Sequence, residues 1–439
     1  MKRKHIVLLG IGLALGAARA FAAEDYELQI PQGAICQVCG MYIEEFRKTA
    51  VELDFDGGAK EHACGVSCAL RRINEQRGWS HVKSAYATDW ETQAAVPLEQ
   101  AALVVGSDET PDMIPNLIAF RENGRADTFQ KKHGGRDISL EEALDDISYV
   151  GMTMPFRVPP AATPPQGLLS VGVSAAYMLK DDLLDGTDDI SKQEVLVNRL
   201  MAPDKMESTM LNVMLAYALT DDLYLDAMLP YCWKRMTAED RMGAKMKFRE
   251  EGLGDILASG RWRFYHDDMY DRHVAVVGRV SLPTGEFSDE NRARPGLQLG
   301  TEAFGLGGGL LFSQHLGMFW LNAGAEYRYN FENSDDYRFG DVVSGGFAAH
   351  FVPSTKTMLG VEIDANKTME NEDNGDDLPN SGYDAVFGNL VAQQRVAMFW
   401  GGNFDLRALA GLPLYQHVEG IQLGETYHLA AGAQWKRRF

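Results

Sequence analysis

From Leu168 to the last residue, Phe439, apolar and polar side chains alternate with a period of two. Successive side chains of an extended chain point to opposite faces, so a period of two held over most of a sequence commits it to β-structure with two unlike faces. In LLSVGVSAAYML, Leu169, Val171, Val173, Ala175, Tyr177 and Leu179 alternate with small residues. In GMFWLNAGAEYRYN, Phe319, Leu321, Ala323, Ala325, Tyr327 and Tyr329 oppose Asn322, Gly324, Glu326 and Arg328. The closing TYHLAAGAQWKRRF sets Tyr427, Leu429, Trp435 and Phe439 against His428, Gln434, Lys436 and Arg438. A soluble sandwich or lipocalin-like barrel also alternates. Its core, however, would not bury that many charges. One face suits lipid and the other water.

Twelve such segments are predicted, near 168–179, 206–220, 223–236, 251–265, 272–283, 300–314, 317–330, 338–352, 356–367, 382–395, 400–417 and 423–439. Long acidic connections (KDDLLDGTDD, SDENRARPG, MENEDNGDD) alternate with tight turns (TDD, SQHLG, VPSTK), as on the two sides of an outer-membrane barrel. The even count returns both chain ends to the periplasm. The predicted fold is therefore mainly β, a twelve-stranded transmembrane barrel over 168–439, in contact with outer-membrane lipid.

The first 167 residues have a different grammar. Residues 1–23 have the basic start, short apolar run and small-residue ending of an exported signal peptide. Residues 34–150 alternate short apolar runs (TAVELDF, AALVVGS, NLIAF) with helical stretches (CALRRINEQRG, RADTFQKKHGG, SLEEALDDISYV), which predicts a small periplasmic α+β domain. Ser139 before Glu142 has capping-box spacing. Residues 151–167 are proline-rich and read as a linker. With 42 Lys and Arg against 62 Asp and Glu, the chain lacks the basic surface that a nucleic-acid partner requires. No catalytic triad, phosphate loop or carboxylate pair with interpretable spacing is present, so an enzyme is not expected.

Four of the five cysteines lie in this domain: Cys36 and Cys39 in CQVCGM, Cys64 and Cys68 in HACGVSCAL. The spacing is near that of a zinc ribbon. Two disulfides would suit an exported protein, and Cys36 with Cys39 could form a redox pair. Copper(I) is favoured by the company the thiols keep. Thioether sulfur is a ligand for Cu(I) and rarely for zinc, and Met41 follows Cys39 closely while Met113 occupies the polar turn TPDMIP. His62 and His133 are weaker candidates.

Three phrases in order, CQVCGM at 36–41, DMIPNLIAF at 112–120 and DTFQKKHGG at 127–135, resemble the NosL family, the copper-binding accessory proteins of nitrous oxide reductase. The resemblance implies Cu(I) at Cys36, Cys39, Met41 and Met113. The segments EGLGDILASGRWRFY, SLPTGEFSDE and LPLYQHVEGIQL, with the closing Phe439, are similar to the outer-membrane channel family named for the MetA pathway of phenol degradation, which implies a porin-like conduit.

Methionine is also concentrated inside the predicted barrel. Of 19 methionines, eight fall between Met201 and Met246, where even spacing would place about two. If TDD (220–222) is a three-residue hairpin loop, Met214 opposes Met228, Met210 opposes Cys232, and Met206 opposes Met236, all pointing inward. Met178 has the same parity. These residues predict a soft-metal path toward the periplasmic cysteines, and a periplasmic copper chaperone or copper enzyme as partner. The alternatives are a general organic-solute porin whose first domain is stapled by zinc or disulfides, and a redox enzyme using Cys36 and Cys39.

Overall fold

The computed structural model describes residues 26–439, except 59, 76–78, 110, 114, 149–155, 268–270, 317, 355–356, 401 and 439. The predicted signal peptide and the closing Phe439 lie outside the described residues.

The N-terminal part contains β1 (Val51–Phe55), β2 (Lys60–Ala63), α1 (Val66–Glu75), β3 (Val82–Thr88), β4 (Ala95–Pro97), β5 (Ala102–Ser107), β6 (Leu117–Phe120), α2 (Asn123–His133), β7 (Gly134–Ile138) and α3 (Leu140–Ser148). The strands form two antiparallel sheets, in the orders β2-β1-β3-β4 and β6-β5-β7. Helix α3 starts where expected: the Glu142 amide donates to the Ser139 hydroxyl at 3.1 Å, satisfying one of the donors a helix start leaves open. Leu53, Leu70, Ile73, Leu98 and Leu117 fill one core, and the four cysteines belong to it.

The remainder is a closed antiparallel barrel. Its strands are β8 (Leu168–Gly186), with the short β9 (Asp188–Asp189) beside it, and, after α4 (Lys192–Asn198), β10 (Met201–Ala218) and β11 (Leu223–Asp240). Next come β12 (Lys245–Leu253), β13 (Ile256–Asp267), β14 (Arg272–Leu282), β15 (Gly305–Leu316), β16 (Phe319–Asn330), β17 (Tyr337–Arg338), β18 (Val342–Ser354) and β19 (Thr357–Thr368). Two short strands, β20 (Asn371–Asp373) and β21 (Asp376–Leu378), precede β22 (Tyr383–Phe399) and β23 (Gly402–Arg438). Pairing runs β8-β10-β11-β13-β14-β15-β16-β18-β19-β22-β23 and returns to β8, so the ring itself is closed. Among the described residues no helix is long and apolar enough to cross a membrane.

Eleven strands form the ring. The segments expected at 400–417 and 423–439 are one extended run of 37 residues. Residues 402–418 pair with β22 and 418–438 with β8, and the Gln416 and Glu425 side chain and backbone are joined by hydrogen bonds of 2.6 and 2.9 Å. The chain turns at Gly420, whose φ of +70° a side chain would disfavour, too tightly to interrupt the extended backbone. The strand expected at 251–265 is also displaced: β12 prolongs β11 beyond the ring as a hairpin, and the ring resumes at Ile256.

The barrel is inside-out relative to a soluble protein. Leu211, Val213, Leu215, Tyr217, Val361, Ile363, Leu390 and Leu412 are exposed on its outer face. Asn212, Arg261, His273, Asn322, His350, Glu362, Asn389, Asp405, His428 and Lys436 are buried within. Such polar groups are tolerated because they pair with one another: His350 Nε2 lies 3.0 Å from Glu362, and Lys436 Nζ lies 2.6 Å from Asp405.

The proline-rich residues 156–166 do not hang free. Val158, Ala161, Ala162 and Thr163 are buried, with Ala161 packed on Ala275, Val277 and Leu311 of the inner wall.

Candidate metal centre

The Cys36–Cys39 segment is a tight turn. The Gly40 amide donates to the Cys36 carbonyl and the Cys36 amide to the Met41 carbonyl, both at 2.9 Å. Gly40 adopts φ +77°, so both cysteine side chains project from one compact loop. The second pair stands where β2 gives way to α1: Cys64 follows the strand and Cys68 lies in the first helical turn. The Thr49 hydroxyl donates to the Cys64 carbonyl at 2.9 Å, and the Ser67 hydroxyl donates to the Pro115 carbonyl. The start of α1 is thereby fastened to the loop that carries Met113.

Folding brings the four sulfur atoms within 4.8 Å of one another. Cys39 and Cys64 are 3.5 Å apart, as are Cys64 and Cys68, and all four remain free thiols. Cys36, Cys64 and Cys68 are buried, while Cys39 is half-buried and forms the open side. Hydrogen bonds from the Cys64 and Cys68 thiols hold the Cys36 pKa well below the ordinary thiol value. Those from Cys68 lower Cys39 to about 7. Cys64 and Cys68 are pushed up in turn, since they keep the shared protons. Thiolates thus form first on the CQVCGM turn, and thiolate is the form that binds metal.

In the barrel, the β10–β11 register joins Met206 to Met236, Met210 to Cys232 and Met214 to Met228. Leu211, Val213, Leu215, Leu225 and Leu229 of the same strands are exposed outward, so the sulfur residues line the inner wall. Met206 and Cys232 are buried, while Met210, Met214, Met228 and Met236 are half-buried. Residues 295–299 fold over the outer rung: a Cβ on Gly296 would lie 3.1 Å from the Met206 sulfur, and Lys234 Nζ donates to the Gln298 carbonyl at 2.5 Å.

Residues 27–148 match the family model of NosL, and residues 214–392 match that of the MetA-pathway of phenol degradation. The two matches follow one another along the chain without overlap. Among solved structures, an outer membrane channel from Pseudomonas putida F1 is 17% identical, covering 64% of this chain and 100% of that one with a TM-score of 0.50. That likeness shows the fold of the barrel. The copper chaperone NosL from Shewanella denitrificans is 23% identical over 27% of this chain and 96% of that one, with a TM-score of 0.25. A FadL homologue from Pseudomonas aeruginosa is 11% identical over 65% of this chain and 95% of that one, with a TM-score of 0.30. Comparison with curated proteins returned no match.

Within the NosL segment, Met113 is buried at 4% exposure among the same core residues as the cysteines, although its sequence setting is polar. Met41 is half-buried against that core. The two histidines stand elsewhere. His62 Nε2 lies 3.6 Å from Glu52, on the paired strand β1. His133 stacks on Phe129 and forms a separate cluster with Asp108 and Glu109. Asp112 was not foreseen. Its carboxylate packs where a Cβ on Gly65 would stand, beside Cys64, and burial pushes its pKa up to about 7. The signal for it was weak, since an Asp before a Met in a proline-flanked turn reads as solvent-facing.

Proposed function

We propose that this chain is an outer-membrane copper(I) handling protein whose periplasmic NosL-like domain binds the ion and whose barrel is the associated conduit. The observation that carries the reading is the convergence of two distant cysteine pairs into one thiol tetrad, on a core shared with Met41 and Met113. The donor set is soft sulfur throughout, which suits Cu(I). The family match over 27–148 supports the same ion. We read β23 as two membrane traverses, giving twelve in all and placing both chain ends on the periplasmic side. Met206, Met210, Met214, Met228, Cys232 and Met236 then form a thioether-rich route on the inner wall, and a periplasmic chaperone or copper enzyme is the recipient in this reading.

Zinc is the second reading, because a tetrahedral Zn–S₄ centre has S···S edges of about 3.8 Å, close to the 3.5 Å contacts present. Metal analysis of the full chain, purified under reducing conditions and offered both ions, separates the two. Copper retained against zinc, and lost by at least a hundredfold in affinity on replacing Cys36, Cys39, Cys64 and Cys68 with Ser, is the expected result. Stoichiometric zinc that copper fails to displace defeats the copper reading.

A further inference from the structure

His133 ends α2, and the two residues that follow β5, Asp108 and Glu109, come to meet it. The imidazole Nδ1 lies 2.9 Å from Asp108 Oδ1 and 3.4 Å from Glu109 Oε1, and the three donor atoms all lie within 4.8 Å of one another. Zinc-type bonds to nitrogen and oxygen of about 2.0–2.2 Å set neighbouring donors about 2.8–3.6 Å apart. Both imidazole-to-carboxylate separations fall in that range.

Neighbours along an extended chain point to opposite faces, so consecutive carboxylates reach one nitrogen only where the backbone turns. It turns here at the end of β5, where Gly106 has φ +76°. Buried Asn116 brackets the turn: its side-chain oxygen accepts from the Gly106 amide at 3.1 Å, and its side-chain amide donates to the Ser107 carbonyl at 3.0 Å and to the Glu109 carbonyl. The Asp108 amide donates to the His133 carbonyl at 2.9 Å and fastens the loop to the end of α2. The imidazole is held in turn by Phe129, four residues earlier on the same helix face, with ring centroids 4.6 Å apart. All three donors are thus set in place by the fold.

An ion pair alone uses only part of this arrangement. An imidazolium Nδ1–H donates one strong hydrogen bond, and Asp108 lies at the right distance to accept it. Glu109 keeps the longer contact, beside a second carboxylate. Among the described residues no lysine or arginine pairs with either carboxylate, although Lys131 and Lys132 stand exposed in the last turn of α2. A divalent cation engages all three donors and offsets the repulsion between the carboxylates. It also lies at a helix C-terminus, where the helix dipole favours positive charge.

The set contains no sulfur. One imidazole with carboxylate oxygens suits divalent transition ions, Cu(II) most tightly, whereas Cu(I) takes thiolate and thioether. The connection 108–116 between β5 and β6 therefore bears donors of both kinds, Asp108 and Glu109 near one end and Met113 near the other. We propose that His133, Asp108 and Glu109 form a second metal site, a surface site for a divalent transition cation separate from the thiol tetrad. It stands whichever ion the tetrad takes.

The test is Cu(II) titration of the full chain followed by electron paramagnetic resonance. The sulfur donors are first filled with Ag(I) in chloride-free buffer, so that no thiol reduces the probe. The unaltered chain should bind one more equivalent of Cu(II) than His133→Gln, and that equivalent should show coupling to a single imidazole nitrogen. Asp108→Asn with Glu109→Gln keeps the ring and its stack on Phe129, should weaken the same site at least thirtyfold, and serves if His133→Gln does not fold. Equal Cu(II) stoichiometry and affinity in all three chains overturn the site. So does a drop in melting temperature of the double variant that is the same with and without Cu(II), which marks the cluster as an ion pair only.

Discussion

Asp89 shows how one side chain in the NosL-like domain stores stability in its hydrogen bonds. Its carboxylate accepts from the Thr92 amide at 2.7 Å, the Thr92 hydroxyl at 2.8 Å and the Arg121 amide at 2.6 Å. Burial alone would raise its pKa, but these donors outweigh burial and hold it below the usual carboxylate range. A carboxylate depressed on folding stabilises above its unfolded pKa of about 4, and that stability is lost as pH falls through the folded value. Asp89→Asn should therefore cost about 1–3 kcal/mol at pH 7, and the difference should shrink below about pH 4. Denaturation of both chains at pH 7 and pH 3 checks this, and a gap independent of pH would count against it. The four thiols were legible as two pairs because C-x2-C and C-x3-C are local spacings. Their meeting was not, since it depends on how α1 packs against the CQVCGM turn. Asp112 was invisible for the same reason: its burial is created by Gly65, 47 positions earlier in the chain.

The element scale is where sequence reading reached furthest. A three-residue loop at 220–222 fixes the β10–β11 register, because each strand must alternate a lipid face with a lumen face, and a slip by one residue would turn Leu211, Val213 and Leu215 inward. The pairing of Met210 with Cys232 and of Met214 with Met228 followed from that constraint alone and is the pairing found. The prediction at this scale is that Met210→Ala, Met214→Ala, Met228→Ala and Cys232→Ala together, in the full chain, remove Ag(I) binding in excess of that held by the thiol tetrad. Equal Ag(I) stoichiometry in isothermal titration would show that the wall is only packing. Strand ends were less legible than registers. Where β11 and β12 continue beyond the ring, alternation persists without a membrane to define its limit, so the expected segment at 251–265 began too early.

For the molecule as a whole, the proline-rich segment and the barrel form one unit, because residues 156–166 are held by β13, β15, β19, β23 and the β10–β11 turn. A chain beginning at Phe156 should accordingly unfold at a higher temperature than one beginning at Leu168, since the shorter chain leaves Glu362, Ser313 and Arg261 without these partners. Equal melting midpoints of the two in detergent would show that residues 156–166 do not brace the ring. Local spacing was enough for the period-two barrel with its apolar outside, the α+β part with two cysteine pairs, and the inward row of methionines, since each depends on which face of an extended chain a residue occupies. The convergence of the two pairs on one centre, the burial of the Asp112 carboxylate and of Met113, and the course of a linker-like segment along the inner wall came only from the folded chain. Those features depend on contacts between residues as far apart as Arg157 and Glu362, 205 positions distant, and a proline-rich stretch carries no periodicity to show which surface will cover it.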